Sequence, residues 1–357
     1  MLRLFFTIFK YALAISLLAY VVHSNWMPGS ETGLEAVWKR HAVEGQPLHW
    51  GFFLASLFFY LLGLLLTLVR WHAMMQSQEL GISFGQAIRL GFIGFFFNTF
   101  LPGSVGGDVV KAAAVCRNQA RRSVAVSVVL LDRAIALWGL IFFAGASGAL
   151  FWALGYFSEG AAAQAGKIVV KMNLGFCLVT GFGWFMLARL PLWRVQRFEG
   201  RLRRWVAGPA AEFWLTFWRF RQMPGVVFKS LLISWCGHIC LSLAFFFAAQ
   251  VFRDGHAVPS VGLHFLIVPL GLVIQAVPMF PGGAGIGELG FGALYAWFGA
   301  EKAMGVTASL VQRLATWFIA VGGYLICAAW RGGKNGGPVE TIQPEEPSRV
   351  QGPWGQG

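Results

Sequence analysis

Charged residues are scarce in this chain. Of its 357 residues only 12% are Asp, Glu, Lys or Arg, while 57% are hydrophobic, and the mean hydropathy is +0.63. A soluble protein of this length carries about twice that charged fraction. Apolar runs of roughly 20 residues, the length needed to cross ~30 Å of hydrocarbon, recur along the chain. The scarcity of charge argues against a soluble protein, and the runs predict an all-α polytopic membrane protein.

Cysteine and catalytic motifs are also sparse. No loop carries a pair of cysteines, which argues against a disulfide framework or a structural zinc site. A Walker loop is missing, and no nucleophile and base stand out as a set. We therefore expect no metal, no cofactor and no catalytic residue. The five cysteines all lie in or beside apolar segments: Cys116, Cys177, Cys236, Cys240 and Cys327.

Acidic residues are outnumbered, 15 against 28 Lys and Arg, which leaves a net charge of +13. Nucleic-acid binding is not expected, because no recognition module fits between the hydrophobic segments. Arginines instead crowd segment 190–223, where tryptophans interleave with them. This pattern is typical of a cytoplasmic segment that lies against anionic lipid headgroups.

One motif occurs twice. The first copy reads Asn98-Thr-Phe-Leu-Pro-Gly-Ser-Val-Gly-Gly-Asp108 and is followed by Arg133; the second reads Pro278-Met-Phe-Pro-Gly-Gly-Ala-Gly-Ile-Gly-Glu288 and is followed by Arg313. Each arginine follows its acid by 25 residues (108 to 133, 288 to 313), and the copies are offset by 180. Helix-breaking glycines and ionisable groups are costly in apolar sequence. The repetition therefore indicates an internal duplication around a functional site.

The spacing of the apolar segments predicts two inverted repeats, each with three crossings and one re-entrant broken-helix hairpin. Repeat A covers about 1–155 and repeat B about 165–330, and the Gly/Pro/Glu-rich tail 331–357 is predicted to be disordered. The Lys and Arg distribution predicts that both termini lie in the cytoplasm, and the expected location is a bacterial inner membrane. An odd number of crossings per repeat inverts the second repeat, so that the two hairpins meet near the midplane. The predicted crossings are 4–23, 49–70, 123–153, 167–189, 225–252 and 305–330; the predicted hairpins are 84–100 with 108–119, and 263–280 with 288–299.

The arginines of the duplicated motif lie roughly 12–15 Å into their predicted spans, close to the midplane. An unpaired charge there costs about 2.5–3.5 kcal/mol. We therefore expect Asp108 to pair with Arg133 and Glu288 with Arg313. One interpretation is purely structural, with buried ion pairs or helix caps that lock the hairpins. The other is an anion site formed by two half-helix N-termini and the arginines.

The predicted headgroup-binding residues all belong to the duplicated motif. Asn98, and Gln275 just before the second break, either bond freed backbone groups or contact substrate. Lys111, one turn into its half-helix, is expected to snorkel or face lipid. The candidate set is Asn98, Pro102, Gly103, Gly106, Gly107, Asp108, Arg133, Pro281, Gly282, Gly283, Gly285, Gly287, Glu288 and Arg313.

These motifs resemble the lysylphosphatidylglycerol synthase transmembrane (flippase-like) family over roughly residues 5–330. In the family, the first motif commonly ends in Gly-Glu and its arginine often follows a Glu. In this chain Asp108 and Asp132 replace these two glutamates. The resemblance implies a membrane domain that moves aminoacylated or other anionic lipids between leaflets. It implies no aminoacyl transferase activity, because the soluble transferase domain of full-length synthases does not follow.

The leading hypothesis is therefore a translocator of an anionic or phosphate-bearing lipid and not an enzyme. The alternative is a membrane subunit or enzyme of lipid, polyprenyl-sugar or hopanoid modification. The expected lipid partners are anionic phospholipid, polyprenyl-phosphate or hopanoid-type lipids. The alternatives for a protein partner are a second copy of the chain and a lipid-synthesis enzyme.

Overall fold

Apolar sequence without internal charge folds here as helix, because a helix satisfies its own backbone hydrogen bonds. The computed structural model describes residues 2–29, 33–101, 106–117, 121–155, 161–205, 208–252, 258–276 and 281–329, and no strand occurs within these ranges. The helices are α1 Leu2–Ser24, α2 Leu34–Trp38, α3 Trp50–Ser77, α4 Phe84–Phe100, α5 Gly106–Arg117, α6 Arg122–Ala153, α7 Ala161–Arg189, α8 Leu192–Trp205, α9 Gly208–Arg221, α10 Pro224–Gln250, α11 Val261–Gln275, α12 Ile286–Trp297 and α13 Lys302–Ala329.

Within the described residues, five helices are long and apolar enough to cross a membrane, namely α3, α6, α10, α13 and, within α7, Gly166–Met186. Segment Tyr11–Ser24 of α1 is a shorter apolar helix. Each predicted crossing thus coincides with a helix, and the prediction of an all-α polytopic membrane fold is confirmed.

The predicted end of the second crossing at Arg70 is wrong. Helix α3 continues to Ser77, because Trp71, Met74 and Met75 of its last turns are buried against the start of α6. Arg70 is consequently a buried residue and not an interfacial one; it is only 3% exposed.

Both predicted hairpins are pairs of short helices, α4 with α5 and α11 with α12. The second helix of each pair begins two residues before its predicted start, at Gly106 and Ile286 instead of at the acid. Asp108 is therefore the third residue of α5 and not its N-cap. The tip residues Pro102 and Gly103 and the tail 331–357 lie outside the described residues.

The helix order long, short, short, long occurs twice, as α3–α6 and as α10–α13. Adding 180 to the bounds of α5, 106–117, gives the bounds of α12, 286–297, and the same offset takes the start of α6, 122, to that of α13, 302. The helices therefore follow the offset of the duplicated motif. The inverted orientation of the two copies stays a prediction from the charge distribution.

Several helix pairs connect the two copies. Helix α13 packs against α12 of its own copy and against α4 of the other, and α3 packs along α10. Helix α1 lies over both hairpins: the Tyr11 hydroxyl donates to the Phe100 carbonyl at the end of α4, and Leu17 lies beside Gly285 at the start of α12. The ends of the two hairpins are thereby enclosed between α1 and α13.

Candidate functional site

Asp108 and Arg133 form an ion pair between α5 and α6. The carboxylate of Asp108 is mostly buried, whereas about a quarter of the Arg133 side chain, 27%, is exposed. The predicted pairing of the first motif is therefore present, and part of the Arg133 side chain remains exposed beside the pair.

Lys111 belongs to the same cluster. Its Nζ lies 3.3 Å from Asp108 Oδ1 and 5.3 Å from the centre of the Trp71 ring, and the residue is 7% exposed. The prediction that Lys111 faces lipid is wrong, because three residues along a helix bring Asp108 and Lys111 to the same face. Gly94 of α4 leaves room for the lysine stem, since a Cβ there would lie 2.7 Å from Lys111 Cγ.

Glu288 and Arg313 form the second predicted pair, with 2.6 Å between Arg313 Nε and Glu288 Oε1. Glu288 is fully buried, and its other oxygen accepts from the Gly285 amide at 2.7 Å. Arg313 also donates to the carbonyls of Gly282 and Gly283, each at 3.1 Å. Part of the structural interpretation therefore holds: this pair caps α12 and fastens the 3-10 turn Pro281–Gly283 that precedes it.

A third pair was not predicted. Arg70 Nε donates to Asp132 Oδ1 at 2.8 Å, and Arg70 Nη1 donates to the Ser234 hydroxyl, so that α3, α6 and α10 are joined. The sequence indicates one member of this pair, because Asp132 is an acid in apolar sequence and needs a partner. The predicted crossing 49–70 ends at Arg70, and a charged residue at the end of a span needs no buried partner.

The ends of the two hairpins meet. A Cβ on Gly282 would lie 2.8 Å from the Thr99 carbonyl oxygen, and Gly282 has φ +52°, so that glycine is required on both grounds. In the first hairpin the Asn98 side-chain oxygen accepts from the Gly107 amide at 2.7 Å, which confirms the predicted bond to freed backbone. In the second, Gly287 brings the backbone close to the Gln275 amide nitrogen.

A cavity of about 200 Å³ lies where the hairpins meet. Both motifs contribute to it, through Asn98 from the first and Gly282 and Arg313 from the second, and Gln275 faces it as well. Arg133 is not among the described residues that line it. Its other described lining residues are Tyr60, Phe95, Thr99, Leu272, Ala276, Gln312, Thr316 and Trp317.

The formal charges of the clusters differ. Among the ion pairs of the described residues, Asp108 faces the two cations Lys111 and Arg133, which leaves one positive charge in excess, whereas the pair Glu288–Arg313 is neutral. Excess positive charge in apolar surroundings is costly unless an anion is nearby. The first cluster is thus suited to attract an anion, and the second to position one polar guanidinium in a cavity.

Comparison with known proteins agrees with a membrane protein. The sequence model of the family described as lysylphosphatidylglycerol synthase TM region matches residues 7–323. A UPF0104 membrane protein of Pyrococcus horikoshii is similar, with 24% identity over 343 residues that cover 89% of this chain and 96% of the relative. No solved structure matches the chain. Because the family model spans most of the sequence, the chain belongs to the lysylphosphatidylglycerol synthase transmembrane region family.

Proposed function

We propose that this member of the lysylphosphatidylglycerol synthase transmembrane region family is a flippase-like translocator that moves an anionic, phosphate-bearing lipid between leaflets. The observation that carries the proposal is the cavity at the meeting point of the two hairpins, lined by Arg313 and by polar side chains from both copies of the motif. A buried arginine beside a cavity within apolar helices marks a path for a polar or charged group.

Arg313 has hydrogen-bonding capacity left for a ligand. A guanidinium carries five N–H donors. Within the described residues, Glu288, Gly282 and Gly283 use three of the donors of Arg313. The planar arrangement of the remaining donors suits two oxygens of a phosphate, which a guanidinium binds better than an ammonium does.

The size of the cavity supports binding of a headgroup only. At about 200 Å³ it is smaller than the roughly 300–1,000 Å³ pockets that enclose drug-sized ligands. A phosphate-bearing headgroup with its ester oxygens suits this space, whereas acyl chains do not and stay in the bilayer. We infer that Asn98 and Gln275 contact the headgroup from opposite hairpins.

In this mechanism the clusters act in sequence. The excess positive charge around Lys111 and Arg133 attracts the headgroup on the side to which the first hairpin opens. The headgroup then passes to Arg313, and inversion of the second repeat opens the opposite route. A location in the inner membrane of a bacterium and cytoplasmic termini complete the proposal; the placement of Lys and Arg supports the orientation of the termini.

The test is lipid movement in proteoliposomes. Fluorescent phosphatidylglycerol and phosphatidylcholine are placed in the inner leaflet, and their appearance in the outer leaflet is followed by dithionite quenching. We expect the wild-type protein to move the anionic lipid faster than the zwitterionic one. If neither lipid moves faster than in protein-free vesicles, translocation of these lipids is wrong and the lipid-modification alternative gains support.

A cavity variant sharpens this test. Gln275→Leu removes a polar lining group that has no hydrogen-bond partner within the described part of the chain, so we expect slower transport at nearly unchanged stability. Gln250→Leu is the matched control, because Gln250 is a buried glutamine that does not line the cavity. Equal transport by both variants would remove the cavity from the lipid path.

A further inference from the structure

A second polar pocket lies outside the proposed transport cavity, between the start of α6 and helices α8 and α9. It measures about 380 Å³ and is lined by four arginines together with Ser123, Val124, Leu215 and Thr216. Helix α9 packs both on α6 and on α8, which brings arginines from three helices together. The four are Arg121, Arg122, Arg203 and Arg219.

These arginines are incompletely neutralised. Arg203 Nε bonds Glu199 at 2.8 Å, and Arg121 donates to the Gln78 carbonyl at 3.3 Å. The side chains of Arg122 and Arg219 have no carboxylate partner within the described ranges. Four guanidinium groups with one carboxylate repel each other, and a bound anion would offset that repulsion.

The pocket continues into an apolar groove of about 630 Å³, and the two share Arg122 and Ser123. The groove exposes large apolar side chains, Val126 at 37% and Leu130 at 46%. The indole N–H of Trp214, which also lines it, is buried without an acceptor among the described residues. A cluster of cations that opens into an apolar groove matches a molecule with an anionic head and an apolar chain.

We propose that this pocket and groove form a second lipid site, which holds an anionic phospholipid of the leaflet on the basic side of the protein. The phosphate lies among Arg122, Arg219 and Arg203, and one acyl chain lies along Val126, Leu130 and Phe213. This site shares no described lining residue with the cavity at Arg313, and its existence does not depend on transport.

The surroundings favour a lipid over a soluble anion. Helix α8 carries Trp193 with Arg194 and Arg197 stacked on its ring, at 5.0 and 5.1 Å, an arrangement typical of a helix in the headgroup layer. A free phosphate would use the arginines but would leave the groove empty. The groove therefore favours a lipid over a free phosphate.

The experiment is native mass spectrometry of the purified full chain in detergent, with dioleoyl phosphatidylglycerol or dioleoyl phosphatidylcholine added. The variant Arg122→Gln/Arg219→Gln removes two charges of the pocket and leaves no described carboxylate without its partner. Arg194→Gln/Arg197→Gln is the matched control, with the same charge change on exposed residues of α8 outside the pocket. We expect the pocket variant to lose about tenfold or more in phosphatidylglycerol affinity, and the control to lose much less.

A groove variant tests the apolar part and covers a folding failure of the first variant. Val126→Trp fills the groove and should weaken phosphatidylglycerol binding, while excess glycerol 1-phosphate should not displace the lipid from the wild-type protein. Equal losses in the pocket and control variants would overturn the proposal in favour of diffuse surface charge. Equal affinity for the two lipids would overturn it as well.

Discussion

The buried carboxylates differ in how many groups hold them. Asp108 has two cations within reach, Arg133 and Lys111. Glu288 has one cation, Arg313, and one backbone amide, and it is fully buried. Loss of Arg133 therefore leaves Asp108 with Lys111 as a compensating cation. Loss of Arg313 leaves Glu288 buried without a described cation.

Alanine variants of the two arginines should therefore differ in stability. Arg313→Ala should lower the free energy of unfolding by about 3–5 kcal/mol, the cost of breaking a buried pair. Arg133→Ala should lower it by only about 1–3 kcal/mol, because Lys111 still holds Asp108. Denaturant titration in mixed micelles measures both.

Arg194→Ala serves as control for this pair of variants, since Arg194 is an exposed arginine stacked on Trp193 and should change stability by at most about 0.5 kcal/mol. If Arg133→Ala proves as destabilising as Arg313→Ala, then Lys111 does not compensate Asp108 and the proposed excess of charge at the first cluster is wrong.

The third pair has a structural role in our interpretation. Asp132→Asn should leave the Arg70 guanidinium buried with the Ser234 hydroxyl and should lower stability by about 3–5 kcal/mol. Ser234→Ala removes only one hydrogen bond and should cost about 1–2 kcal/mol. Because the pair does not line the cavity, transport per folded molecule should stay near the wild-type rate; a selective loss of transport would assign this pair to the lipid path.

At the scale of the helices, close backbone approach shapes both hairpins. A Cβ on Gly107 would lie 1.7 Å from the Gly94 carbonyl oxygen, so that α5 can pack on α4 only with glycine at this position. The contact of Gly282 with Thr99 joins one hairpin to the other in the same way. These contacts hold the polar groups of the motif beside the cavity.

Gly107→Ala should therefore separate α4 from α5, lower stability by at least about 1–3 kcal/mol and reduce transport. Gly181→Ala is the matched control, because Gly181 lies in α7 with open space around its Cβ position. There the change should stabilise the helix by up to about 1 kcal/mol. Similar unfolding midpoints for the two variants would contradict the tight packing of the first hairpin.

At the scale of the molecule, orientation follows from the placement of positive charge. The basic segment 190–223 is predicted to face the cytoplasm, and the loop 253–262 the outside. Helices α8 and α9 occupy most of the basic segment, and α9 packs on the start of α6. With this predicted orientation, the proposed second lipid site belongs to the cytoplasmic leaflet.

Cysteine labelling in a background without the native cysteines tests this orientation. Gly200→Cys, at an exposed position of α8, should react with an impermeant maleimide only after the membrane is opened. His256→Cys should react in intact cells. The reverse pattern would exclude this topology and move the second lipid site to the outer leaflet.

The sequence by itself determined what depends on composition and on local spacing. Scarce charge and long apolar runs specify membrane helices, because the hydrocarbon core tolerates little else. The 25-residue interval predicted both ion pairs, since it links each hairpin to the next long helix along the chain. The starts of the second helices of both hairpins were predicted to within two residues, because Gly and an acid mark them, whereas α11 ends at Gln275 and not at the predicted residue 280.

Only the tertiary structure decided which distant helices touch. Arg70 meets Asp132 across 62 residues, Lys111 is buried against Trp71, and Arg122, Arg203 and Arg219 from three helices share a pocket with Arg121. Hydropathy does not specify such contacts, because lipid is as apolar as the helix faces and gives them no preferred partner. Packing of small residues and pairing of polar groups choose the neighbours instead, and these depend on the whole set of helices at once.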